Sequence, residues 1–144
     1  MREILFRGKK RSDGQWVQGD LHQWLEAVYI SAENSDGYTK TNWLVDAETV
    51  GQFTGLNDQN GAKIFEGDVV SYPDNYYSWQ GDVNVTRNIG VVDWDENVMC
   101  FYFSNRHFVD MEDFDVENGR MTEVEVVGNV FDHPELLEGG VENG

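Results

Sequence analysis

Cysteine, proline and basic residues are scarce in this chain, and each scarcity excludes something. Among 144 residues there is one cysteine, Cys100, so no internal disulfide can form. It lies in an apolar run, which favours a buried, inert thiol over a nucleophile and suits a reducing compartment. The two prolines, Pro73 and Pro134, act as punctuation. Pro73 lacks a ladder donor and is expected to halt a strand. Pro134 fits the first turn of a short helix through Leu137. Lys and Arg number 10 against 27 Asp and Glu, for a net charge of −17. That field opposes direct binding to nucleic-acid phosphates. No run approaches the roughly 18 apolar residues of a membrane span. Met1-Arg2-Glu3 opens onto a run too short for a secretory leader. The sequence therefore reads as a cytoplasmic protein without membrane association.

Chemistry-bearing motifs are equally sparse. His22, His107 and His133 are far apart, and none has an HExxH or CxxC partner. Surface or capping roles suit them better than metal ligation. Asp93-x-Asp95-x-Asn97 begins like a calcium loop but carries Val98 at position six and Ser104 at position twelve. The run from Asp113 fails at Val124 in the same way. There is no phosphate-binding glycine loop, because Gly51, Gly55, Gly61 and Gly67 are dispersed and each sits where a turn is needed. No Ser–His or Cys–His pair is indicated by spacing. No catalytic residue, metal ligand or cofactor is assigned on these grounds.

What the chain has in quantity is aromatic residues and turns. Five Trp, 6 Tyr and 8 Phe are enough to build a core in one domain of this length. A first strand is expected at about residues 2–8, with a hairpin through the basic loop Lys9–Gly14 to a strand at 15–21. Three bases on such a loop tip are ordinarily solvated. A turn near 22–25, a strand at 26–31, a loop at Asn34–Gly37 and a return strand at 39–45 follow. Asp46 is placed to cap one helical turn. Asn57–Gly61 and Glu66–Asp68 read as turns around Ile64 and Phe65.

After Pro73, residues 73–82 read as a loop carrying Tyr76, Tyr77 and Trp79, which are the candidate binding residues because exposed rings favour contacts. The alternative is a lid of rings folded over the core. Residues 83–94 read as one long strand or two. Val98–Phe103 is apolar on both faces and expected to be buried on both. Its second face needs a cover, from the N-terminal hairpins or from a second copy, so a homo-oligomer is expected. Residues 110–115 suit one helical turn. Asn118-Gly119 is a hairpin turn, residues 122–127 alternate cleanly, and Gly128 marks a bend or bulge. Residues 138–144 are polar and glycine-rich and are expected to be a disordered tail. With no repeat or linker, residues 1–137 read as a single domain.

The pattern is that of a mainly β protein. Residues 54–131 should form a strongly bent sheet or SH3-like partial barrel, with residues 1–45 adding hairpins. No helix should exceed three turns.

Several stretches together resemble a known family. They are Arg2–Arg7, Glu48–Leu56, Asp58–Val70, Gly90–Trp94 and Val126–Leu137. In this order they resemble the YopX family of phage and prophage proteins, over nearly the whole chain. Pro73–Asn88 contributes nothing to the likeness and reads as a variable insertion. The resemblance implies a small, mostly β protein made from phage or prophage genes in a bacterial cytoplasm. The family carries no established activity, so it supplies no site residues.

Three functional classes remain. The first is a non-catalytic adaptor or modulator that binds a host or phage protein. The second is an acidic DNA mimic that occupies a nucleic-acid-binding protein. The third is an enzyme with an unrecognised site. The aromatic segment around Tyr76 favours the first. The charge bears on the second: residues 1–40 hold 6 bases and 6 acids, and residues 41–144 hold 4 bases and 21 acids.

Overall fold

A computed structural model describes residues 3–77, 83–97, 99–104, 109–111 and 114–137, and the side chains of these except 74–77, 83–86 and 109–110. The chain divides into two compact units, Met1–Gly55 and Leu56–Gly144. Both are built from β-strands, as the recurrence of short branched and aromatic runs between turn residues predicts.

The first unit is an antiparallel meander. Strands β1 (Phe6–Lys9), β2 (Trp16–Trp24), β3 (Ala27–Glu33) and β4 (Lys40–Val45) follow in order, and β5 (Gly51–Asn57) returns beside β1. The linking turns use the chemistry expected of them. Gly14 and Gly37 take positive φ. Asp36 accepts from the amides of Tyr38 and Thr39 and from the Thr39 hydroxyl. Asp46 caps a 3-10 turn at Ala47–Thr49 by accepting from Glu48 N. The turn expected at residues 22–25 is narrower than that. Leu25 adopts φ 56°, which reverses the chain in two residues, and β2 runs on through Trp24.

Gly19 sits where β2 changes partner. Its residues 16–19 pair with β1, and 20–24 pair with β3. A Cβ at Gly19 would overlap the Ser31 carbonyl. At the far end the meander curls back on itself. Lys10 bridges Val45, Arg11 N donates to Leu44 O, and Asp46 N donates to Lys9 O. Inside the curl Val17, Ile30 and Val45 are buried, with Phe6, Val28, Ala32, Trp43 and Val50 packed against them.

The second unit contains β6 (Lys63–Phe65), β7 (Asp68–Tyr77), β8 (Val83–Asp95), β9 (Cys100–Ser104), β10 (Val109–Asp110), β11 (Val116–Glu117), β12 (Arg120–Met121) and β13 (Glu125–Asn129). Its main sheet has the order β10-β9-β8-β7-β13. Among the described residues β10 and β13 are not paired with each other, so the sheet is open. Ile64, Val70, Tyr72, Val92, Phe103, Met111, Met121 and Val124 form its core. Tyr72, Phe103 and Phe114 make a ring cluster within it, with centroids 4.9–5.7 Å apart.

Two expectations need correction here. Pro73 does not halt a strand. It pairs with Arg87 inside a continuous β7–β8 ladder, and residues 73–77 are strand rather than loop. The reason is its position: β13 pairs with β7 only over Asp68–Ser71, so Pro73 lies where β7 has one described neighbour. A missing N–H on the open side breaks no ladder bond. Strand β9 is also less two-sided than its composition suggests. Phe103 is fully buried and Phe101 packs against the core, but Cys100 and Tyr102 are half-buried.

Local turn chemistry fixes the rest. Asn118 and Gly119 both take positive φ between β11 and β12, as a two-residue hairpin turn requires. The β13–β7 register shifts between Val126 and Gly128, a bulge at the expected glycine. Asn129 Oδ1 accepts from Phe131 N and Asp132 N, leading into the helical turn at 135–137. The run 138–144 lies outside the described residues. Among those described, no helix is long and apolar enough to cross a membrane.

Candidate interaction surfaces

The β7–β8 hairpin reaches further than the sheet that holds it. Strand β13 pairs with β7 only through Ser71, and β9 pairs with β8 only from Val91 onward. Among the described pairings, Tyr72–Tyr77 and Val83–Asn88 therefore pair only with each other. Six residues of strand make a two-stranded ribbon about 20 Å long. At its base, Arg87 donates from Nε to Ser71 Oγ at 3.0 Å and from Nη2 to Ser71 O at 2.9 Å. The ribbon carries two of the three predicted binding residues. Tyr76 pairs with Asn84 and Tyr77 with Val83, on neighbouring positions of one strand. Trp79 lies outside the described residues.

A second aromatic surface lies in the first unit, and sequence reasoning missed it. The meander has two faces. Val28, Ile30 and Ala32 of β3 point into the curl, which leaves Tyr29, Ser31 and Glu33 on the other side. The register places His22 and Leu44 on either side of Tyr29, Asp20 and Asn42 on either side of Ser31, and Trp24 opposite Ala27. This face is divided in character. At one end Lys40 pairs with Asp20 at 3.3 Å, with Glu33 directly opposite Lys40. From Asn42, on the same row as Asp20, toward the β2–β3 turn runs a shallow groove of about 360 Å³ lined by His22, Gln23, Trp24, Tyr29 and Asn42. Trp24 is 71% exposed, high for an indole on a sheet. The alternation of Asp20, His22 and Trp24 was the available signal, but residues 22–25 read as a turn.

The basic loop is not simply solvated. The Arg7 guanidinium lies 4.6 Å from the Trp16 ring centre, with Lys9 Nζ at 5.5 Å from the same ring. Lys10 Nζ stands 3.8 Å over Trp43. Arg7 is buried on β1, whereas Lys9, the last residue of β1, and Lys10 border the loop, where such a contact is worth about 0.5–1 kcal/mol when exposed. Charge is unequal between the units. Residues 1–55 hold 6 bases and 8 acids, and residues 56–144 hold 4 bases and 19 acids.

Many described carboxylates do local structural work. Asp95 accepts from Asn97 N in the β8–β9 turn, and Asp93 accepts from Trp94 N. Tyr102 Oη approaches Asp93 Oδ2 at 3.5 Å. Burial, and then the charges of Asp93 and Asp95, hold its phenol above the ordinary value of 10.0. Among the described residues, no three His, Cys, Asp or Glu side chains converge as metal ligands would. His22 is exposed on β2, and His133 Nδ1 faces Asn129 N at 3.4 Å. His107 lies outside the described residues.

The chain is similar to solved structures of known proteins. The crystal structure of protein EF1440 from Enterococcus faecalis aligns over 95% of this chain and 99% of its own, with 18% identity and a TM-score of 0.45. The curated proteins give no match. The sequence model described as YopX protein matches residues 5–138, so nearly the whole chain lies within it, from Leu5 before β1 to the residue after the last helical turn. The chain belongs to the YopX family.

Proposed function

We propose that this protein is a non-catalytic interaction module, made from phage or prophage genes, that binds a host or phage protein in the bacterial cytoplasm. The observation that carries the reading is the β7–β8 ribbon. It is an extended hairpin whose Tyr72–Tyr77 and Val83–Asn88 segments pair only with each other among the described residues, with Tyr76 and Tyr77 as the last two positions of β7. Open strand edges and aromatic residues are what protein partners most readily use. Trp79 joins Tyr76 and Tyr77 in the proposed binding set.

The test begins with capture of a partner from lysogenic or infected cells and continues with purified components. Replacing Tyr76, Tyr77 and Trp79 together by Ala should cost at least about 2 kcal/mol of binding, the scale of a hot spot, with the melting temperature retained. A second reading is an acidic DNA mimic, favoured by the excess of 15 acids in residues 56–144. It predicts the opposite pattern. The triple variant would bind as wild type, and affinity would fall steeply as salt rises.

A further inference from the structure

We infer that the groove on the outer face of the β2–β3–β4 meander is a binding site for a neutral β-linked oligosaccharide. This site lies in the first unit and does not depend on the ribbon reading. It is lined by Trp24, Tyr29, His22, Gln23 and Asn42; Gln23 alternates onto the curl face with its partner Val28, so an indole, a phenol, an imidazole and one primary amide present their side chains here. None of these is a carboxylate, ammonium or guanidinium. A sugar ring presents the complementary surface. Its axial C–H bonds form an apolar patch that lies flat on an aromatic ring, and its equatorial hydroxyls both donate and accept. Amides and imidazole also both donate and accept, so they can satisfy hydroxyls without a net charge. Apolar walls with a few placed polar groups are the general composition of small-ligand sites.

Position supports the assignment. Trp24 is 71% exposed at the end of β2, and its cross-strand neighbour is Ala27. The register therefore puts no bulky side chain directly opposite the indole. Tyr29 lies diagonal to Trp24 across the β2–β3 pair, a spacing of roughly 7–8 Å, so the two rings serve neighbouring parts of one chain of sugars. Of the charged residues of this face, Glu33 and Lys40 lie at the far end, and Asp20, which borders the groove on the row of Ser31 and Asn42, is paired with Lys40. A nucleotide also offers a ring to stack, but its phosphate needs a cation, and none lines the groove. A protein hot spot needs a surrounding ring of contacts that excludes water, whereas this groove is shallow and its Trp stands open.

The experiment is a titration of the whole protein followed by amide and indole NMR shifts, with cellotetraose and tetra-N-acetylchitotetraose as probes. Adenosine monophosphate and a neutral Tyr-containing peptide serve as competitors. The expected result is saturable movement of the Trp24 indole N–H and of the Tyr29 and Asn42 amides by at least one oligosaccharide, at concentrations up to about 10 mM. Trp24→Ala should weaken that binding at least tenfold and Asn42→Ala severalfold, with unchanged melting temperatures. Trp24→Phe should retain part of it. The inference is overturned if neither oligosaccharide saturates, if the shifts map elsewhere, if Trp24→Ala binds as wild type, or if the nucleotide or the peptide binds more tightly than the sugars. The wild-type shift map decides the matter even if a variant misfolds.

Discussion

At the scale of single residues, Asp58 carries an unusual share of the second unit. It is 1% exposed, and its carboxylate accepts from three backbone amides at 2.9 Å: Asn60 and Ala62 in its own turn, and Val126 on β13. Charge-assisted bonds to amides contribute more than neutral ones, and a buried donor left without a partner costs about 1–3 kcal/mol. Asp58→Ala removes the acceptor of three part-buried amides, two of them on the exposed residues Asn60 and Ala62 where water can substitute, and should lower stability by at least about 1 kcal/mol in urea unfolding. Asp58→Asn keeps one acceptor oxygen and should cost clearly less. Equal losses for the two would mean that shape, not hydrogen bonding, sets the effect. Asp36 makes the contrasting case on an exposed loop. The Thr39 hydroxyl, then the amides of Thr39 and Tyr38, hold its carboxyl below the ordinary 3.8. Its pKa is depressed on folding, so its contribution is present above the unfolded value and is lost as pH falls through the folded one. The Tyr38 and Thr39 amide resonances should therefore hold steady at neutral pH and move only below about pH 4. Movement of both near neutrality would contradict that geometry.

At the scale of elements, the legible parts of the fold were those set by near neighbours in sequence. Asn118-Gly119, Gly61, Gly67, the Asp46 cap and the Gly128 bulge all follow from what one to five residues can do with φ, ψ and a short side chain. The parts that were not legible depend on which strand lies alongside. Pro73 reads as a stop until β13 is seen to leave β7 at Ser71. The bond from Asp58 to Val126 spans 68 residues, and nothing local announces it. The candidate site divides the same way. Tyr76 and Tyr77 stand out as an aromatic cluster, but the ribbon that carries them is a pairing fact. The Trp24 face was hidden because Leu25 turns the chain in a left-handed conformation that a branched residue seldom adopts. Gly19 belongs to this group too, since its meaning lies in the Ser31 carbonyl across the sheet. Gly19→Ala forces β2 and β3 apart at the corner and should cost at least about 2 kcal/mol. Gln18→Ala, at the exposed position next to it, should stay within about 0.5 kcal/mol. If Gly19→Ala unfolds at the wild-type denaturant concentration, the corner is not held by close backbone approach.

At the scale of the whole molecule, a net charge of −17 makes any self-association depend on salt. The apolar composition of β9 favours a homo-oligomer, and half-burial of Cys100 and Tyr102 leaves that face less demanding than its sequence implies. Met99 beside it is 69% exposed, so apolar surface for a second copy remains. Two copies joined through such surface bring like charges together, and the repulsion weakens as the Debye length shrinks from about 30 Å at 0.01 M salt to about 8 Å at 0.15 M. Apolar association should therefore strengthen with salt. A different contact would join the basic loop of one copy, where Lys9, Lys10 and Arg11 lie, to the acidic second unit of another. Opposite charges drive that contact, so salt should weaken it. Sedimentation velocity at micromolar protein, in low salt and in about 0.5 M salt, separates the two. The apolar route predicts a larger species that grows with salt and is lost on Met99→Glu. A species that dissolves with salt points instead to the basic loop, and Lys10→Glu with Arg11→Glu should then abolish it. A monomer under both conditions removes self-association altogether and leaves the exposed rings of this molecule to other partners.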